Sequence, residues 1–187
     1  MTYSFERVLA YGLAVCLRFA RPRPLFQLSQ EGIPQQAELT VYFDGLCEPI
    51  NPGGVATYGY IVREDGRSLK EGRDFIAEGR GASNNLAEYA GLVAALEWLL
   101  ANGYREQEVE VRGDSKQVIH QMSGVWRVKG GFYTPKYEEA RKLREQFNRI
   151  SFKWVPRKEN TEADSLARRA YEDYCIRRGR EVLYHKG

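Results

Sequence analysis

A chain of 187 residues, 43% hydrophobic and 28% charged, is long enough to bury a full core and fits one domain with some length to spare. A formal charge of +3 and a pI near 8.7 admit a polyanionic partner without demanding one. Three widely spaced cysteines (Cys16, Cys47, Cys175) show no CxxC or zinc-like pattern, which fits a reducing cytoplasm, and neither His120 nor His185 neighbours a Ser or Cys in a hydrolase motif, which disfavours nucleophilic triads.

Residues 1–37 read as an N-terminal extension. Its apolar run of ten, Val8 to Leu17, is too short to span a bilayer, and the Arg18 that ends it argues against export. Residues 27–37 are polar, include a proline and read as a linker. From Glu38 the pattern becomes regular. Leu39, Val41 and Phe43 alternate with Thr40 and Tyr42, predicting a strand that runs into Asp44-Gly45. After the turn chemistry of Asn51-Pro52-Gly53-Gly54, strands over 56–63 and 68–77 complete an antiparallel meander. Apolar residues at helical spacing predict a helix over 83–100, capped by Ser83 or Asn84 and stopped by Asn102-Gly103. Val109 and Val111 mark a fourth strand ending at Asp114, and 115–122 turns helical. A further helix is expected over 135–148, a fifth strand over 150–155 and a last helix over 161–174. The order β-β-β-α-β-α-α-β-α implies an α/β fold, a mixed five-stranded sheet with helices on both faces. Basic residues crowd the C-terminal third, including a tail over 176–187, and read equally well as solvated helix faces or as a polyanion-binding surface.

Four acids stand out in this scheme. Asp44, Glu88, Asp114 and Asp164 each fall at a strand end or in a first helical turn, where a sheet of this order can bring them to one rim. Taken singly, each has an ordinary explanation: a turn-initiating Asp, an acid facing a helix dipole, an N-cap. Taken together they suggest a cation site, because unneutralised carboxylates side by side repel one another and serve no core.

The flanking residues sharpen this. The chain reads Asp44-Gly45-Leu46-Cys47 with Asn51-Pro52-Gly53, then Ser83-Asn84-Asn85-Leu86-Ala87-Glu88 and Gly113-Asp114-Ser115. Trp154-Val155-Pro156-Arg157 then leads into Asn160-Thr161-Glu162-Ala163-Asp164-Ser165-Leu166-Ala167. Over residues 38–175 this resembles the type 1 ribonuclease H family. The resemblance implies the ribonuclease H fold with strand order 3-2-1-4-5. It also implies hydrolysis of the RNA strand of RNA–DNA hybrids with two Mg²⁺ (or Mn²⁺) ions, leaving 5′-phosphate and 3′-hydroxyl ends. Two such ions about 3.5–4 Å apart stabilise the attacking and leaving oxygens of an in-line displacement.

By the same resemblance Asp44 bridges the ions, Glu88 and Asp114 complete the metal shell, and Asp164 lies where the attacking water is activated. Cys47, Asn51, Asn84 and Asn85 are implied along the minor groove, where a 2′-hydroxyl separates RNA from DNA. Ser83 is implied in a phosphate pocket, and Lys116, Trp126 and Lys129 as further backbone contacts, with Trp126 equally readable as core. Two departures from bacterial members are visible. The interval 125–135 is too short for their basic protrusion, and the loop before the last helix carries Arg157-Lys158-Glu159 in place of a histidine. Arg157 is the substitute candidate, in an electrostatic role, since it cannot release a proton at neutral pH. The pattern is similar to the histidine-lacking archaeal-type branch, which makes an RNA duplex a candidate second substrate. A cytoplasmic monomer is expected. The competing readings are a resolvase- or transposase-like nuclease, which would not need Asn84-Asn85 beside Glu88, and a binding module that keeps the fold without catalysis.

Overall fold

The computed structural model describes residues 38–184; the expected N-terminal extension and linker, 1–37, lie outside the described residues. Five strands, β1 (Leu39–Glu48), β2 (Val55–Glu64), β3 (Arg67–Glu78), β4 (Glu108–Gly113) and β5 (Arg149–Trp154), form one sheet in the order β3-β2-β1-β4-β5. The meander β1–β2–β3 is antiparallel, and β1–β4 and β4–β5 are parallel. This is the mixed sheet expected from the sequence. Four helices cover it: α1 (Asn84–Ala101), α2 (Lys116–Met122), α3 (Thr134–Arg144) and α4 (Thr161–Arg177).

The period-2 pattern of β1 sorts its side chains cleanly. Leu39, Val41 and Phe43 pack with Leu92, Leu96 and Leu99 of α1 and with Val109 and Val111 of β4 in the main core. Burying each such side chain stabilises the fold by about 1.5–3 kcal/mol. On the other face, Leu46 and Val55 pack with Ala167, Tyr171 and Tyr174 of α4, and Thr57 Oγ1 donates to the Ala167 carbonyl at 2.9 Å. Ser83 caps α1, its Oγ accepting from Leu86 N at 3.3 Å. No helix of the described residues is long and apolar enough to cross a membrane.

Two boundaries differ from expectation. Asp44-Gly45 is no turn: β1 runs on to Glu48, paired residue for residue with β2. Gly45 serves a different purpose there, since α1 crosses so close that a Cβ would lie 2.6 Å from the Ala87 carbonyl carbon and closer still to Glu88 N. The helix expected to reach 148 ends at Arg144, because Asn148 is drawn away by its N–H bond to the Arg105 carbonyl and its side-chain bond to Glu106. The chain after α4 turns back: Arg180 pairs with Glu78, and Tyr171 Oη donates to the Leu183 carbonyl at 2.7 Å.

Candidate active site

The site lies where two strands part. The parallel register of β1 with β4 ends at Tyr42 and Arg112, while β1 continues beside β2 alone. The carboxyl ends of strands at such a divergence are where open α/β sheets bind ligands. Asp44 sits just beyond the divergence, on the α4 face of β1, and is buried. Asp114 follows β4, Glu88 projects from the second turn of α1 and Asp164 from the first turn of α4.

Each acid is held by a specific donor. Asp44 Oδ1 accepts from Gly45 N at 2.8 Å. Ser115 Oγ donates to Glu88 Oε2 at 2.7 Å while also capping α2. Asn160, 1% exposed, donates from one Nδ2 to the Phe43 carbonyl at 2.9 Å and to Asp114 Oδ1 at 2.8 Å. It thereby bridges the gap that the departing β4 leaves along β1. Asp164 takes bonds from Arg157 Nη2 at 2.8 Å and Arg168 Nε at 2.8 Å. The indole N–H of Trp154 donates to the Asp114 carbonyl at 3.0 Å, and Lys116 Nζ lies 5.1 Å over the same ring.

The electrostatics report a crowded centre. Burial, then the charge of Asp114, pushes the Asp44 carboxyl up to about 8, with Glu88 and Asp164 adding and the Gly45 N–H opposing. Burial also raises Glu88 to about 7, against the Ser115 bond and with the Asp114 charge. Asp164 moves the other way. Burial works to raise it, but the bonds from Arg168 and Arg157 outweigh that and hold it below the usual carboxylate range. For Asp44 and Glu88 the folded state binds protons more tightly than the unfolded chain. Their favourable contribution is complete below the ordinary values of 3.8 and 4.5 and is lost as pH rises through about 7 and 8. In chelator, the melting temperature is therefore expected to fall across that window, and a divalent cation should flatten the fall. A flat profile in chelator would contradict the crowding.

Among the described residues, no three Asp, Glu, His or Cys side chains already stand as a ligand set. The reason is visible in the partners: with no positive charge between them, the outer acids turn onto Ser115, Asn160 and the two arginines. The donors nevertheless suit a hard divalent ion, being oxygens alone around an Asp44 whose neighbours repel it.

The other sequence candidates divide. Asn51 Oδ1 accepts from Asn84 N at 3.0 Å, fastening the 49–54 loop to the start of α1 beside Ser83. The Oδ1 of Asn84 is buried and accepts no hydrogen bond. Asn85 lines an open groove with Gln117, Gln121, Trp126 and Lys129. Trp126 is 47% exposed and tilts against His120 at 4.6 Å, so it is surface and not core. Cys47 is 2% exposed, and its thiol, raised by burial, donates to the Ile50 carbonyl. It offers the surface no side chain, unlike the contact expected of it. The connection 123–133 between α2 and α3 contains no helix, so no basic protrusion is present. Sequence reasoning missed Ser115, Asn160, Arg168 and Gln121 as supporting residues. Only Arg168, one turn after Asp164, carried a local signal.

Comparison with known proteins supplies the family. Residues 43–170 match the "Reverse transcriptase-like" family model. The chain is 41% identical over 132 residues to ribonuclease HI of Halobacterium salinarum, covering 71% of this chain and 63% of that protein. It is 43% identical over 122 residues to a bifunctional protein of Mycobacterium tuberculosis, covering 65% of this chain but only 32% of the relative. The chain thus spans about a third of the mycobacterial relative's length. The solved N-terminal RNase H domain of that mycobacterial protein superposes with a TM-score of 0.66 at 38% identity, covering 76% of this chain and 99% of that domain. A ribonuclease H1 isolated from compost, solved in complex with an RNA/DNA hybrid, gives 0.66 at 30% identity over 73% of this chain and 99% of its own.

Proposed function

The chain belongs to the ribonuclease H family with type 1 enzymes as its structural relatives, and on that premise we propose that it hydrolyses the RNA strand of RNA–DNA hybrids in the cytoplasm. The observation that carries this reading is Asp44, buried at the parting of β1 and β4 with the charges of Asp114, Glu88 and Asp164 bearing on it.

Asp44, Glu88 and Asp114 would hold the catalytic Mg²⁺ or Mn²⁺, two ions per site, with Asp164 on the side of the attacking water. Bound there, the cations supply positive charge to the attacking and leaving oxygens. The chain's own residues do the rest. Ser115 and Asn160 fix the carboxylates of Glu88 and Asp114, so that little reorganisation is left for the reaction itself. Arg157, exposed and bonded to Asp164, is placed to meet backbone phosphate as well as to hold that acid. Asn51, Ser83, Asn84 and Asn85 gather at the start of α1, where amides with both donors and acceptors can read a 2′-hydroxyl and a phosphate. The unused acceptor on Asn84 supports such a role. Trp126, Lys116 and Lys129 form the remaining contacts, an aromatic platform with two cations. The products carry 5′-phosphate and 3′-hydroxyl ends.

The test is incubation of end-labelled hybrid, RNA duplex and single strands with and without Mg²⁺ or Mn²⁺. Metal-dependent cutting of the hybrid's RNA strand is expected, with RNA duplex as the second substrate. Binding without cleavage under every condition would favour the binding module, and cutting of branched DNA a resolvase. Asn160→Ala should reduce activity about 10–100-fold through loss of orientation at Asp114. It should also destabilise the fold by about 2–3 kcal/mol, chiefly through the charge-assisted bond. A steady-state assay beside a denaturant titration checks both; unchanged turnover would remove Asn160 from the machinery.

A further inference from the structure

The 123–133 connection has no helix or strand, yet it carries the exposed Val125, Trp126 and Phe132 together with Arg127 and Lys129. Something must fix such a segment if its aromatic platform is to meet a ligand in one geometry. At its start, the His120 carbonyl accepts from Val125 N at 2.8 Å and Trp126 N at 3.0 Å. Its middle and end converge on one side chain. Gln121, 6% exposed, accepts from Tyr89 Oη at 2.7 Å through Oε1. Through Nε2 it donates to Tyr133 Oη at 3.3 Å and, at longer range, to the Arg127 carbonyl at 3.5 Å. The rings of Tyr89 and Tyr133 stack 5.5 Å apart at 5° around this amide.

A buried amide costs free energy unless its partners are in place, and a Leu or Met would fill the same space without that demand. Core packing alone therefore gives no reason for a glutamine here. What the amide adds is a fixed relation between two functional segments. Tyr89 is the residue after Glu88, and Arg127 and Tyr133 bracket Lys129 and the Gly130-Gly131 turn. One side chain thus ties the helical turn that bears an active-site acid to the loop that bears the substrate platform.

We infer that Gln121 is a positioning residue that sets the 123–133 loop against the acids, and through it the seating of the hybrid in the groove, acting on substrate binding and not on the bond-breaking step. This rests on the hybrid-cleaving function proposed above. The test compares wild type, Gln121→Met and Tyr133→Phe in steady-state cleavage of a hybrid, in hybrid binding measured in chelator, and in melting. Gln121→Met is expected to raise KM and weaken binding about tenfold, the order lost when an aromatic–base stack is disturbed, with kcat within about twofold of wild type. Tyr133→Phe, which keeps the ring and removes one partner, should shift KM in the same direction by less. A lowered melting temperature with wild-type KM, or a fall in kcat at unchanged KM, would overturn the proposal and leave Gln121 a core residue. If Gln121→Met does not fold, an unchanged KM in Tyr133→Phe overturns it alone. Wild type that neither binds nor cuts any hybrid would overturn the functional reading, and this inference with it.

Discussion

Asp44→Asn is expected to lower hybrid cleavage by at least about a thousandfold while leaving the protein folded. Losing the anionic oxygen that joins the cations forfeits several kcal/mol of transition-state charge stabilisation, and every 1.36 kcal/mol is a factor of ten. The fold should tolerate the change well. An asparagine keeps the shape, and its Oδ1 can still accept from Gly45 N. It also removes a charge that burial and three neighbouring acids oppose. In chelator above the raised value of about 8, where the wild-type carboxyl is ionised, the variant should melt higher than wild type. Near the ordinary value of 3.8 the two should converge. Adding Mg²⁺ should stabilise wild type and leave the variant nearly unchanged. Activity retained within tenfold, or a variant less stable than wild type at high pH, would show that Asp44 is not the crowded centre of the site.

Gly45→Ala is expected to destabilise the fold by about 3 kcal/mol or more, at the upper end of overpacking costs. The new methyl would meet backbone, not a flexible side chain: the Ala87 carbonyl carbon at 2.6 Å, with Glu88 N nearer. Neither can move without lifting α1 from β1. That displacement also carries Glu88 away from Asp44, so activity should fall further than the folded fraction does. For a chain of this size the melting temperature should drop by about 6–12 °C. A wild-type denaturation midpoint in Gly45→Ala would mean that α1 does not cross β1 at the distance described.

These two neighbours also show how much could be read from the residues. The alternation of Leu39, Val41 and Phe43 and the helical spacing along α1 are local signals, and the elements they predict are present. The sheet order came with the family resemblance, because periodicity assigns faces but not neighbours. At Asp44-Gly45 the same residues that signal a turn sit inside a strand, since close helix approach also demands a glycine and sequence cannot tell the two needs apart. The four acids were legible as a set because their flanking residues were. Their supports were not. Ser115–Glu88, Asn160–Asp114 and Tyr89–Gln121 are contacts between segments 27, 46 and 32 residues apart, and each partner has an ordinary local reading as a cap or a core residue. Cys47 failed for the same reason: its inward thiol depends on the path of the 49–54 loop.

The most direct test of the central claim is anomalous diffraction from crystals of this protein equilibrated with Mn²⁺. The account predicts manganese density among the carboxylates of Asp44, Glu88 and Asp114, with those side chains drawn inward, and its loss in Asp44→Asn. Manganese bound elsewhere, or at the same place in Asp44→Asn as in wild type, would contradict it.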